Sequence, residues 1–150
     1  MSVRVCLDAS AALAFALQDE LLHASAKVLV RNMVAQGTTL CAPPLFLCEC
    51  DSIIRLRVFK GALNEAEAEE ARLFLRTLDV KIEHDAADTQ RAYEIAREYR
   101  QPRVYDSLYA AFAEVRGVEL VTADRPFFEA VNGNKRPKTM PPLAFVKLLA

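Results

Sequence analysis

A chain of 150 residues with 53% hydrophobic side chains has enough apolar mass for one sizeable core and little room for a second, so residues 1–150 are expected to form a single domain. A net charge of -1 with 26% charged residues argues against the basic coat of a general nucleic-acid binder and against a membrane-surface patch. No apolar run reaches bilayer-spanning length, and the acid at position 8 falls where a secretory signal would have its apolar core, which points to a cytoplasmic protein with no membrane partner.

Residues 2–8, SVRVCLD, are an apolar run ending in an acid, and they lead into the alanine-rich helical pattern AALAFAL. A second helical pattern, residues 20–35, places Leu22, Ala26, Leu29, Val30, Met33 and Val34 at helical spacing before Gly37. Residues 38–43 read as a strand, and the two prolines at 43 and 44 suit the first turn of a helix that runs to Lys60. Leu45, Ile53 and Leu56 mark one face of that helix, and Glu49 shares it, four residues from both Leu45 and Ile53.

Asn64 with Glu67 is a capping-box variant that opens a helix over residues 65–77. Residues 80–84 alternate as a short strand. Asp85 or Asp88 then caps a helix that turns Ala92, Ile95, Ala96 and Tyr99 inward until Pro102 breaks it. Next comes VYDSLYAAFAEVRGVELVTAD, residues 104–124: a helix from about Asp106, a stop at Gly117, an apolar strand and a closing aspartate. A short helix over residues 125–131 follows, then a basic, proline-bearing loop and a tail, PLAFVKLLA, ambiguous between strand and helix.

Strands alternating with helices predict a three-layer α/β sandwich with a central parallel sheet flanked by helices. None of the four glycines forms a phosphate-cradling or dinucleotide fingerprint. Of the four cysteines, Cys6 and Cys41 fall in apolar strands, and Cys48 and Cys50 point to different faces of one helix. They are read as reduced thiols, mostly in the core.

Asp8, Asp106 and Asp124 each stand at a helix start, where an aspartate ordinarily caps. Glu49 sits in mid-helix on an apolar face, where the ordinary role is an ion pair, with Arg55, Arg57 or Arg97 available. Together the four have another reading. The carboxyl ends of parallel strands share one edge, so Asp8 and Asp124 become neighbours if their strands are adjacent, and Asp106 joins them if its connection curls back. One pair of unit charges about 4 Å apart repels by about 4 kcal/mol at an effective dielectric of about 20. Such a cluster needs protons or a cation, and oxygen donors without histidine favour Mg2+ or Mn2+ over zinc.

The blocks VCLDAS, PPLFLCECDSIIRLR, VYDSLYAAFAEVRG and VELVTAD resemble the signature blocks of PIN-domain ribonucleases, in particular the VapC-type toxins of toxin-antitoxin pairs. The likeness runs from Val3 to about Phe128. It implies that Asp8, Glu49, Asp106 and Asp124 are the metal-binding and catalytic acids, with Ser10 and Thr122 as supporting hydroxyls. It further implies an RNA substrate, a small cognate antitoxin, and a homodimer, whose surface we place in part on Leu21, Leu22, Val28 and Leu29. Two departures stand out: Arg125, Pro126 and Phe127 follow the last aspartate where many relatives carry a further acid, and the basic loop over residues 132–142 leaves the usual last strand open.

Phosphate contacts are expected from Arg103 and Arg125, with Lys135, Arg136 and Lys138 as weaker candidates. Two alternatives stay open. A phosphotransfer domain also gathers acids and magnesium at strand ends, but here the first strand ends in Asp-Ala-Ser rather than in paired acids, and no lysine-bearing last strand stands out. The other is a non-catalytic binding module of the same fold, against which the four retained acids count. His23 and His84 offer no partner to Ser10 or Ser107 for serine-hydrolase chemistry.

Overall fold

Five short strands make one sheet in the computed structural model, which describes residues 2–18 and 20–150. The strands are β1 (Arg4–Leu7), β2 (Thr39–Ala42), β3 (Lys81–Ile82), β4 (Glu119–Thr122) and β5 (Val146–Leu148). Their order is β3-β2-β1-β4-β5, and every neighbouring pair is parallel. Helices α1 (Ala9–Ala16) and α2 (His23–Ala35) join β1 to β2, and α3 (Leu45–Phe59) and α4 (Glu65–Thr77) join β2 to β3. Helices α5 (Ala86–Glu98) and α6 (Tyr105–Arg116) lead back to β4, and α7 (Arg125–Val131) leads to β5.

This order has one reversal. The chain moves outward from β1 through β2 to β3, then returns to the other side of β1 as β4. Right-handed crossovers place the connections on either side of such a reversal on opposite faces of the sheet, which gives the expected three layers. The reversal lies between β1 and β4, whose register sets Cys6 opposite Leu120 and Leu7 opposite Val121. Both strands are buried there, and their next residues open onto the carboxyl edge of the sheet.

Local signals set several boundaries where they were expected. Asn64 and Glu67 exchange both hydrogen bonds of a capping box at the start of α4, and Asp85 and Asp88 do the same for α5. Gly117 adopts a left-handed conformation, φ 65°, and ends α6. β3 is two exposed residues at the sheet edge, and β2 beyond it is buried. The ambiguous tail is a strand: Val146 is buried, Lys147 faces out, and β5 completes the other edge.

One face was placed wrongly from sequence. The fully buried row of α3 is Phe46, Cys50 and Ile54, while Leu45 and Ile53 are only partly buried and Leu56 is exposed. The helix is turned by one position because the bulky Phe46 enters the main core and Ile54 enters a second cluster with Leu13, Leu17, Ala68 and Ala71. Glu49 therefore stands at the margin of the buried face. Cys6, Cys41 and Cys50 are buried free thiols, and Cys48 is exposed.

Arg116, at the end of α6, grips the fully buried Asp88 with two bonds of 2.8 and 3.1 Å, reaches Glu83 at 3.0 Å, and lies over the Phe112 ring. This ties α5, α6 and the end of β3 together around one guanidinium. Among the described residues no helix is long and apolar enough to cross a membrane.

Candidate active site at the carboxyl edge

Asp8 is the residue at which β1 becomes α1. Its amide donates to the Val121 carbonyl at 3.2 Å, which extends the β1–β4 pairing by one bond, and its side chain then turns to cap α1. Oδ1 accepts from the Ala11 amide at 2.9 Å and from Ser10 Oγ at 2.7 Å. Ser10 Oγ also accepts from the Ala123 amide at 2.9 Å and lies 3.3 Å from Thr122 Oγ1. Thr122, fully buried, accepts in turn from the Asp124 amide at 3.0 Å. The two hydroxyls thus stitch the ends of β1 and β4 together directly behind Asp8 and Asp124.

Asp124 caps α7 by accepting from the Phe127 amide at 3.0 Å. The ordinary capping role is therefore real for Asp8 and Asp124. It fails for Asp106: the N-cap of α6 is Val104, and Asp106 lies inside the first turn. Because α6 runs antiparallel to β4, its first turn comes back to the carboxyl edge, which is the curl the sequence left open.

Glu49, in the second turn of α3, is half-buried and accepts from the Tyr109 hydroxyl at 3.2 Å. No arginine figures among the charges that act on it. Arg55 pairs with Glu65 at 2.7 Å and Arg57 with Glu20 instead. The ion-pair reading of Glu49 is corrected accordingly, since the strand order brings α6 rather than an arginine against this face. Tyr109 was overlooked in the sequence, although it lies three residues after Asp106 and so on the same side of α6.

The electrostatics join all four acids. Burial pushes Asp106 up to about 7, and the charges of Asp124, Asp8 and Glu49 push the same way. Burial also raises Glu49, helped by Asp8 and Asp124 and opposed by the Tyr109 hydroxyl. Asp8 is raised by burial and by Asp124, against the pull of the Ser10, Thr122 and Ala11 donors. Among the described residues, no cationic side chain figures among the main influences on these three.

That unrelieved negative charge, built only of carboxylate oxygens, fits a hard divalent cation. Among the described residues no three His, Cys, Asp or Glu side chains form a ready-made metal cage.

Arg103, just before α6, and Arg125, at the start of α7, are both exposed at this edge and pair with no described acid. Lys135, Arg136 and Lys138 lie elsewhere. α7 leads away from the carboxyl edge, and its end meets the start of β5 through Asn132 Nδ2 on the Val146 carbonyl at 3.0 Å. The basic loop therefore sits toward the opposite edge of the sheet.

An open parallel α/β sheet with acids gathered where its strand order reverses defines a class of proteins that hold a polar or charged ligand above that point. The chain belongs to the PIN-domain family, whose profile, described as "PIN domain", matches residues 5–133. No curated protein matches the sequence. Among solved structures, the chain is similar to PAE2754 from Pyrobaculum aerophilum, with 24% identity, a TM-score of 0.64, and 87% of this chain and 81% of that one covered. It is similar to VapC20 of Mycobacterium tuberculosis, described as a sarcin-ricin loop cleaving toxin, with 19% identity, a TM-score of 0.61, and 82% and 92% covered. It is also similar to VapBC2 from Rickettsia felis, solved bound to a DNA fragment from its promoter, with 16% identity, a TM-score of 0.64, and 99% and 100% covered. At these identities the likeness is one of fold.

Proposed function

We propose that residues 1–150 act as one divalent-metal-dependent endoribonuclease domain and as the toxin of a type II toxin-antitoxin pair. The observation that carries this reading is the electrostatic burden that Asp8, Glu49 and Asp106 carry at the strand reversal, to which the Asp124 charge adds, with no cationic side chain among the described residues figuring in the main influences on them. Membership of the PIN-domain family supports it, since PIN-domain nucleases generally use divalent metal ions. The likeness to a sarcin-ricin loop cleaving toxin and to a VapBC assembly supports the toxin role and a small antitoxin partner.

Asp8, Glu49, Asp106 and Asp124 would hold the cation, Mg2+ or Mn2+, which supplies charge neutralisation for the phosphate and a more acidic water. Ser10 and Thr122 keep Asp8 and the Asp124 backbone in place through the bonds described above. Asp106, inside the first turn of α6 at this edge, would orient or deprotonate the attacking water. In the hydrolysis the water oxygen bonds to phosphorus, the bond to the leaving ribose oxygen breaks, the water proton passes to Asp106, and the leaving oxygen takes a proton from solvent. Arg103 and Arg125 flank the edge where the phosphates would lie.

A homodimer, as the family likeness implies, would use in part the stretch of Leu21, Leu22, Val28 and Leu29, just before and within α2. Leu21 is 95% exposed and Val28 58% exposed, while Leu22 and Leu29 are partly buried. Val28 and Leu29 line a groove of about 840 Å³ with Val5, Val121 and Leu149.

The test is cleavage by purified protein, free of any antitoxin, of a panel that includes transfer and ribosomal RNA, with magnesium, with manganese and with chelator. Metal-dependent cuts that disappear in Asp8→Asn are expected. Intact RNA throughout at high protein concentration, or cuts that survive chelator, would overturn the reading.

A further inference from the structure

The four acids are not held equally. Asp8 and Asp124 are short side chains pinned by backbone amides of the helices they open, at 2.9 Å from Ala11 and 3.0 Å from Phe127. Asp106 is short and rises from a helical first turn. Glu49 has a longer side chain with one more torsion, and it emerges from the second turn of α3, where the backbone amides are already committed to the helix. One described group fixes it, the Tyr109 hydroxyl.

Tyr109 is well built for that task. Its ring is 1% exposed and belongs to the main core, with Phe46, Cys50 and Phe112 in the same cluster. A phenol has two torsions, both stopped here by packing, so the hydroxyl is a fixed point rather than a mobile donor. An ionised carboxylate accepts only, so the bond runs from Tyr109 to Glu49, and the carboxylate's second oxygen is left for other partners. Tyr109 also stands one turn beyond Asp106 on α6, so a single rigid helix carries one acid and the anchor of another.

We propose that Tyr109 is a positioning residue: through the 3.2 Å bond from its hydroxyl to Glu49 Oε1 it holds the Glu49 carboxylate toward Asp8 and Asp124, and so sets the affinity of the site for a divalent cation. The proposal rests on the metal-site reading above. Partners that orient metal ligands from behind typically change affinity 10- to 100-fold when removed, and Tyr109→Phe removes the hydroxyl while keeping the buried ring.

The experiment is calorimetric titration of the metal-free protein with Mn2+ for wild type, Tyr109→Phe, Glu49→Ala and the double variant, beside urea midpoints in chelator. Tyr109→Phe should bind about tenfold more weakly than wild type with a chelator midpoint close to it. In the Glu49→Ala background the same change should have no further effect. Wild-type affinity in Tyr109→Phe, or an equal loss with Glu49 already removed, would overturn the proposal while leaving the metal site intact. Failure of Tyr109→Phe to fold in chelator would assign the hydroxyl to the fold and overturn it equally. Absence of manganese binding by wild type itself would overturn the metal-site reading, and this proposal with it.

Discussion

Ser10 Oγ and Thr122 Oγ1 stand 3.3 Å apart, so a hydroxyl in the first turn of α1 meets one at the end of β4, over the point where the strand order reverses. Neither makes an isolated contact. Ser10 donates to Asp8 and accepts from the Ala123 amide, and Thr122 accepts from the Asp124 amide. The pair fixes the separation of Asp8 and Asp124 by bonds behind them, leaving the carboxylates to face the edge.

Ser10→Ala should therefore act on both stability and the site. It leaves the Ala123 amide without its acceptor and Asp8 without one donor, and a lost bond of this kind costs about 1 to 3 kcal/mol when the orphaned group is kept from water. Urea unfolding should show that loss, and Mg2+ affinity should fall with it. An unchanged midpoint would mean that water replaces the hydroxyl at no cost.

The pH dependence of the metal-free protein has a definite sign. Asp106 is raised from 3.8 to about 7, so between those values the native state holds a proton that the unfolded chain has released. Stability then falls as pH rises through that window, because the slope follows the protons bound by the unfolded state minus those bound by the native state. Asp106→Asn removes this loss. In chelator the variant should gain on wild type from about pH 4 to about pH 7, by urea midpoints. Cation binding by wild type runs the other way and should strengthen over the same range, since the cation displaces the proton. A constant gap between the two proteins across the range would remove Asp106 from the acid cluster.

Ser107 adjoins Asp106 and is fully buried, and its hydroxyl has no hydrogen-bond partner among the described residues. A hydroxyl that has left water without a replacement bond is a standing cost, and removing it orphans nothing. Ser107→Ala should stabilise the protein by up to about 1 kcal/mol, read as a higher thermal midpoint. A loss above that size would show that the hydroxyl has an acceptor after all.

What could be read from the sequence was local. The capping box at Asn64, the left-handed stop at Gly117, and the short helix after Asp124 each depend on residues a few positions apart, and each is found where it was expected. Asp8 and Asp124 were legible as strand-ending acids for the same reason. Their adjacency was not, because it depends on β4 pairing with β1 across more than a hundred residues of chain. The partner of Glu49 was hidden likewise: Tyr109 lies 60 residues away, and nothing near Glu49 competes with the arginines that a local reading suggests. The one-position turn of α3 follows from two cores competing for one helix, and helical periodicity does not register such competition.

The capping and metal roles of the acids make opposite predictions for stability, which separates them at Glu49 and Asp124. Asp124 does cap α7, and replacing such a cap by alanine typically costs about 1 kcal/mol. Asparagine keeps the accepting oxygen, so Asp124→Asn tests the charge with the cap retained. Glu49→Gln likewise keeps an oxygen for Tyr109 while removing the charge that Asp8 and Asp124 oppose. If the acids are chiefly structural, both changes should lower the urea midpoint in chelator. If they crowd to hold a cation, the metal-free protein is burdened by like charge, and both variants should be as stable as wild type or more so. Excess magnesium should then raise the wild-type midpoint, because binding to the native state alone adds stability, and it should raise neither variant comparably. Destabilisation in chelator together with a magnesium increment equal to that of wild type would remove these two residues from the metal site.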